Sequence, residues 1–298
     1  MKLKITYMSG AGNTFTVVDN RNYNFPVDYY TVIAPILCGT LKENAVKTEG
    51  LLVVNKPHGD YAFSVDFFNP DGSFSMMCGN GGRCAVRFAI ANDFIEIPKQ
   101  DEDVIFKMAG GVYKANIISE NVRLFFPPPI EIRKDIIVQI YNKKVKGTYV
   151  NVNSDHFVTN YEENPNLMEK SFDDFCIDTF ASPIRFHEDF KPKGVNVNIY
   201  LIKSRKELWL RTYERGVEAE TGACGTGALS TMLTALSKNE IELPVKIIPP
   251  SKSPLVVDVK GEFPDNIEYL VLEGNAEIKK VTEIEIPDNY KQIESLNT

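Results

Sequence analysis

The chain has 298 residues, 43% of them hydrophobic, and a net charge of −7. That length suits two domains of about 100–200 residues each, and a mildly acidic chain with no basic tract argues against nucleic acid or an anionic membrane as partner. Five cysteines, an odd number in a chain this long, do not read as a disulfide framework. The opening MKLKITYMSG lacks the apolar core of a signal peptide, and no run approaches the ~20 apolar residues of a membrane helix. A reducing cytosol is the expected compartment.

In chain order, KLKITYM, TFTVVDN, GLLVVNK, YAFSVDFFN and VRLFFPP read as strands, β-branched or aromatic with turn residues between them. VDYYTVIAPILCGTLK has room for a short helix, in which Pro35 belongs to the first turn or breaks it. GRCAVRFAIANDF, after Gly81, has helical spacing, with Cys84, Phe88 and Ala91 on one face. Pro127, Pro128 and Pro129 then favour an extended connector, which places a domain boundary there. The expected domains are 1–129 and 130–269, the first completed by a C-terminal strand near 270–285, with 286–298 as a tail. The polar stretch from about Glu162 to Asp178 reads as surface structure. GTGALSTMLTALSKN is a second helix, with Leu229, Leu233 and Leu236 on one face. LPVKIIPPS, PLVVDVKG and EYLVLEGNAEIKKV follow as strand-like segments.

One short pattern occurs twice. Cys78-Gly79-Asn80-Gly81 matches Cys224-Gly225-Thr226-Gly227, each leading into an apolar helical stretch, and Ala89 then falls opposite Ala235. Outside this window the halves share little, as an old duplication would leave them. The first N–H groups of a helix lack intrahelical partners and form an anion site. A thiol at such a place has its pKa lowered from about 8.5. Two such turns would supply two poised thiols and two carboxylate cradles. Cys38, Cys84 and Cys176 lack this setting and read as small buried hydrophobes. Metal binding competes weakly, because the Cys78 to Cys84 spacing is not a usual zinc spacing and His58, His156 and His187 are scattered. A Walker-type phosphate loop is missing.

Further polar residues surround the turns: Asn13 in GAGNTF, Asn69 in FFNPDGS, His156 in NSDHFV and Asn196 in KGVNVNIY. YERGVEAETGACG adds Glu214, Arg215, Glu220 and Thr221 just ahead of Cys224. Singly, each asparagine suits a turn as readily as a ligand. Together they make a set that recognises an amino acid, with arginine for a carboxylate and Asn or Glu for an ammonium group.

MSGAGNTF, NPDGSFSMMCGNGGRC and RTYERGVEAETGACGTG resemble the signatures of the diaminopimelate epimerases, and the resemblance runs from about Met8 to Ile278. It implies an isomerase: a two-base epimerase that uses no cofactor (neither pyridoxal phosphate nor metal) and converts LL-diaminopimelate to the meso form for lysine and cell-wall precursors. The implied fold is α+β, with two pseudo-symmetric domains, each a β-roll around a central helix, and the active site in the interdomain cleft. Carried over residue by residue, Cys78 and Cys224 are the catalytic pair, assisted by His156 and Glu214. Gly79 and Asn80 with Gly225 and Thr226 cradle the α-carboxylate. Asn13, Asn69, Ser154, Asn196, Glu214 and Arg215 bind the rest of the substrate, with Asn69, Asn196 and Arg215 at its distal end. The partner is a small amino acid, and a homodimer is the candidate assembly.

Two departures stand out. The family's Gly-x-Gly-x-Asp loop is reduced here to Glu49-Gly50, and its Asn-Pro-His reads Ser154-Asp155-His156. They motivate an alternative, a related racemase for another amino acid such as histidine. A pyridoxal-dependent racemase needs a Schiff-base lysine and a phosphate cup, which the sequence does not offer. A non-catalytic binding protein would have no need of two thiols.

Overall fold

A computed structural model describes all residues except 42, 44, 58, 75–76, 97, 99–101, 165–169 and 287–298. The chain divides into two units, one of Met1–Leu124 with the chain from Gly274 on, the other of Phe125–Glu273.

In the first unit, β17 (Glu277–Glu285) pairs with β1 (Lys2–Gly10), followed in order by β2 (Asn13–Asp19), β3 (Leu51–Asn55), β4 (Phe63–Phe68), β5 (Val104–Met108) and β6 (Gly111–Ile118). The pairings run antiparallel, antiparallel, parallel, antiparallel, parallel, antiparallel. Parallel neighbours need crossover connections. Here α1 (Val27–Leu37) joins β2 to β3, and α2 (Gly79–Ala91) joins β4 to β5.

The second unit repeats this plan. Its order is β8 (Glu131–Ile140), β9 (Lys143–Asn151), β10 (Asp155–Asn160), β11 (Asn196–Ser204), β12 (Glu207–Glu214), β14 (Val245–Ile248) and β15 (Leu255–Glu262), with the same succession of directions. The crossovers are α3 (Ile177–Arg185) and α4 (Gly225–Ser237), and a two-residue strand, β13 (Ala219–Glu220), leads into α4. The duplication visible in eight residues of sequence therefore extends to the whole strand plan. Two more strands complete the chain: β7 (Asn121–Phe126), at the junction of the units, and β16 (Asn266–Asn275), paired to β15.

A helix buried on all sides must be enclosed by its sheet. That holds for α2, buried from Gly79 through Ala89 except at Arg87, and for α4, buried from Gly225 to Ala235 except at Thr226. In contrast, α1 and α3 cover one sheet face each. Tyr30, Ile33 and Leu37 pack on Leu3, Val18 and Val53, and Phe180, Ala181 and Ile184 on Val197 and Ile199. No described helix is long and apolar enough to cross a membrane.

The structure corrects four local readings. Helix α1 continues through Pro35, which sits in the last turn and forfeits the one i→i−4 bond its N–H would have made to the Thr31 carbonyl, close to where the helix ends. The stretch 162–178 is not all surface, since Phe172 and Phe175 are buried in the core beneath α3. Ala91 is exposed at the end of α2, while Cys84 and Phe88 are buried. Cys176, read as a small buried hydrophobe, is exposed, and its sulfur accepts from Thr179 Oγ1 at 3.3 Å. At the chain end, Ile286 is buried and its N–H donates to the Met1 carbonyl at 2.8 Å; the remaining expected tail, 287–298, lies outside the described residues.

Candidate active site

In the first unit, Cys78 is the N-cap of α2, with extended backbone at φ −113° and ψ 120°. Its carbonyl accepts the first helical bond, from Gly82 N at 2.8 Å. The end of β1 lies against this turn so closely that a Cβ at Gly10 would come within 2.6 Å of the Asn80 carbonyl and 3.1 Å of Cys84 Sγ. A two-residue hairpin through Ala11 and Gly12, both at positive φ, returns the chain to Asn13. Asn13 is buried, and its Oδ1 has no partner among the described residues. Glu49 accepts from Thr14 N at 3.2 Å and so fixes the start of β2. Asn69 is turned into its own loop, with Nδ2 donating to Ser73 Oγ at 2.9 Å.

Cys224 is the corresponding N-cap of α4. Its sulfur accepts from Gly227 N at 3.4 Å and lies 3.6 Å from Thr226 Oγ1. An amide at a helix N-terminus directed at sulfur favours the thiolate. From the end of β12, Glu214 reaches the same sulfur: burial raises its carboxyl pKa above the ordinary value, and the Cys224 thiol partly opposes that rise.

Parallel pairing of β10 with β11 sets His156 beside Asn196. Asn196 then ties three candidate residues together. Its Nδ2 donates to Ser154 Oγ and to the Asp155 carbonyl, both at 3.0 Å, and its Oδ1 accepts from Arg215 N at 2.8 Å. The Arg215 guanidinium donates to Asp155 Oδ2 at 3.0 Å, while Tyr149 and Asn151 donate to Asp155 Oδ1 at 2.7 and 3.0 Å. These bonds outweigh burial and hold the Asp155 carboxyl below its usual range, with Arg215 adding attraction.

His156 is wholly buried, and burial, reinforced by the Arg215 charge, lowers its pKa to about 3. The imidazole is therefore neutral at pH 7. Its tautomer follows from Asn198, whose Nδ2 donates to the Phe157 carbonyl and lies 2.9 Å from His156 Nδ1. Asn198 Oδ1 in turn accepts from Thr212 Oγ1 at 3.0 Å. With Nδ1 an acceptor, the proton sits on Nε2, which has no partner among the described residues.

The second unit thus holds Ser154, Asn196 and Arg215 in one hydrogen-bonded group, sets His156 beside Asn196 on the neighbouring strand, and places Glu214 at the Cys224 turn. In the first unit Gly10 pairs with Asn13 and abuts the Cys78-Gly79-Asn80 turn, whereas Asn69 bonds within its own loop. Glu220 points elsewhere, bidentate on Arg211 at 2.6 and 2.7 Å. Sequence reading missed Asn198 and Arg83. Asn198 had a signal, since in a strand it shares a face with Asn196. Of the three histidines, His58 lies outside the described residues and His187 caps the short turn Glu188–Phe190. Among the described residues, no three His, Cys, Asp or Glu side chains converge as a metal cluster would require.

The family model described as diaminopimelate epimerase matches residues 5–125. A diaminopimelate epimerase of Aquifex aeolicus is 32% identical over 285 residues, covering 90% of this chain and 95% of the relative. One from Hydrogenobaculum is 34% identical over 274 residues, covering 87% and 92%. A crystal structure of a probable proline racemase from Agrobacterium radiobacter superposes with a TM-score of 0.71 at 12% identity, covering 98% of this chain and 95% of that one. At that identity the last likeness speaks for the fold alone.

Proposed function

Because this chain belongs to the diaminopimelate epimerase family, we propose that it epimerises LL-diaminopimelate to the meso form through Cys78 and Cys224. The carrying observation is that each cysteine caps a central buried helix at the equivalent point of a repeated strand plan. Inverting a stereocentre needs a base on one face and an acid on the other. One thiolate removes the α-proton and becomes a thiol. The other thiol delivers its own proton to the opposite face and becomes the thiolate. Atoms and charge balance, and the enzyme is left in the mirror protonation state.

The α-proton is a very weak acid, so charge developing on the carboxylate must be stabilised. Helix N-terminal N–H groups at Gly79 and Asn80, and at Gly225 and Thr226, are suited to that role. Asn13, Asn69, Ser154, Asn196 and Arg215 hold the remaining amino and carboxylate groups in this reading. The neutral His156, with its proton on Nε2, donates a hydrogen bond without adding charge, and Glu214 acts on Cys224. The two thiols titrate as a pair, so the activity profile belongs to both. They must stay reduced, which a cytosolic setting provides.

Purified protein in deuterated water should exchange the α-hydrogen of diaminopimelate and interconvert its isomers. Cys78→Ala and Cys224→Ala should each lower turnover by at least the 10²–10⁴-fold typical of general acid–base groups. Full turnover in either variant refutes the two-thiol mechanism. The chemistry also requires both sulfurs to reach one carbon, so mild oxidation should join Cys78 to Cys224, detected by peptide mapping and reversed by reductant.

A further inference from the structure

Asp155 and Arg215 form an ion pair at 3.0 Å, with side chains 17% and 18% exposed, so a ligand can reach both charges. Arg215 Nη1 donates to Asp155 Oδ2 and, at 3.2 Å, to the Gly194 carbonyl. Its Nε and Nη2 donate to no described residue. Those two nitrogens are the side-on edge of the guanidinium, a fork that matches a carboxylate. On the acid side, Asp155 Oδ1 accepts from Tyr149 Oη at 2.7 Å and from Asn151 Nδ2 at 3.0 Å, so the carboxylate is held in one place. Oδ2 accepts from Arg215 alone among the described residues. A carboxylate oxygen has two lone pairs, so Oδ2 has room for a further donor.

The pair therefore offers a ligand both signs of charge within one hydrogen bond's length. An α-amino acid end carries its ammonium and its carboxylate on one carbon and answers both. Its carboxylate meets the Nε and Nη2 edge of Arg215, and its ammonium meets Asp155 Oδ2. A carboxylate without the ammonium satisfies the guanidinium but sets a like charge against Asp155. Like charges at that range repel strongly in a site largely screened from water. Because Tyr149 and Asn151 hold it, Asp155 cannot turn away from such a charge. An ammonium without the carboxylate answers Asp155 and leaves the fork empty.

We propose that Asp155 is a specificity-determining residue: it makes the Arg215 subsite select a ligand whose far end is a complete amino acid over one that ends in a carboxylate alone. This rests on the reading that diaminopimelate is the substrate and that Arg215 holds its far end. Asp155 adds the repulsive element that discrimination needs beside the attractive one. The selection is read as affinity rather than turnover, so its failure and that of the two-thiol mechanism are separate results.

The test compares three ligands that differ only at the far end: diaminopimelate, 2-aminopimelate, which lacks the distal ammonium, and lysine, which lacks the distal carboxylate. Dissociation constants come from isothermal titration calorimetry on full-length protein carrying Cys78→Ala, so that no ligand is turned over, with Asp155 kept or changed to Asn. With Asp155 present, diaminopimelate should bind roughly tenfold or more tighter than 2-aminopimelate. Asp155→Asn should tighten 2-aminopimelate by roughly tenfold or more beyond any gain for diaminopimelate, and should weaken lysine. A purely structural role would move all three alike. An unchanged preference between diaminopimelate and 2-aminopimelate in folded Asp155→Asn, or lysine tightened along with them, overturns the proposal. Should that variant fail to fold, the protein with Asp155 decides: no preference for diaminopimelate over 2-aminopimelate overturns it equally.

Discussion

The buried neutral imidazole of His156 makes the second unit sensitive to acid in a calculable way. In the folded chain its pKa is about 3, against 6.5 for a free imidazole, with burial the largest cause. Unfolding releases the ring to bind a proton anywhere between these values, so the unfolded state gains protons and stability falls as pH falls. The contribution is complete above 6.5 and is lost progressively toward about 3. Between about pH 7 and about pH 4.5 the loss works out at about 2.5 kcal/mol. The figure is insensitive to the folded pKa as long as that stays well below 4.5. His156→Asn keeps an acceptor where Nδ1 meets Asn198, and it removes the titration. Urea unfolding followed by far-UV circular dichroism at both pH values should show the unmodified protein losing about 2.5 kcal/mol more than the variant across that interval. Other acid-sensitive groups and the fixed cost of the substitution cancel in this double difference. Equal losses in the two proteins would show that His156 is not buried as a neutral base.

Four further outcomes follow from particular contacts. Gly227→Ala would put a Cβ 2.4 Å from Asn198 Oδ1; it should displace Asn198, cost roughly 1–3 kcal/mol, and lower kcat, as read by thermal melting and isomer interconversion. Gly10→Ala meets the Asn80 carbonyl at 2.6 Å and should reduce Cys78 alkylation and turnover together, whereas an unchanged Cys78 rate would mean the turn is not braced by β1. Asp155→Asn removes the carboxylate that neutralises Arg215; KM for diaminopimelate should fall about three- to tenfold with kcat nearly constant, as expected if Arg215 becomes a freer anion site, and a rise in KM would contradict that role. Glu214 has a raised carboxyl pKa chiefly through burial, so its ionisation costs stability as pH rises above 4.5. Glu214→Gln should therefore melt at a temperature that depends less on pH over that range than the unmodified protein does, while its activity drops.

Local chemistry was legible wherever it depends on short spacing. The two Cys-Gly-x-Gly turns announced helix N-termini, since glycine and an apolar periodic run specify that junction without distant contacts. Strands β1 to β4 of the first unit were legible for a similar reason, as β-branched and aromatic runs between turn residues, whereas β5 and β6 were not read. The second unit was harder. Charged EIRKDIIVQI in β8 lies half exposed and shows no clean alternation, and Phe172 and Phe175 sit in a polar stretch whose burial depends on α3 and the sheet beneath it.

What the sequence determined by itself was the two matching Cys-Gly-x-Gly turns and the family. Tertiary structure alone decided the charges around them. Parallel pairing of β10 with β11 makes His156, Asn196 and Asn198 neighbours, and so fixes a tautomer no spacing rule could supply. Closure of a sheet around α2 buries Arg83, whose Nη1 has no partner among the described residues. A charge means something different in water and in a protein interior, and only the enclosing fold determines which of the two surrounds it.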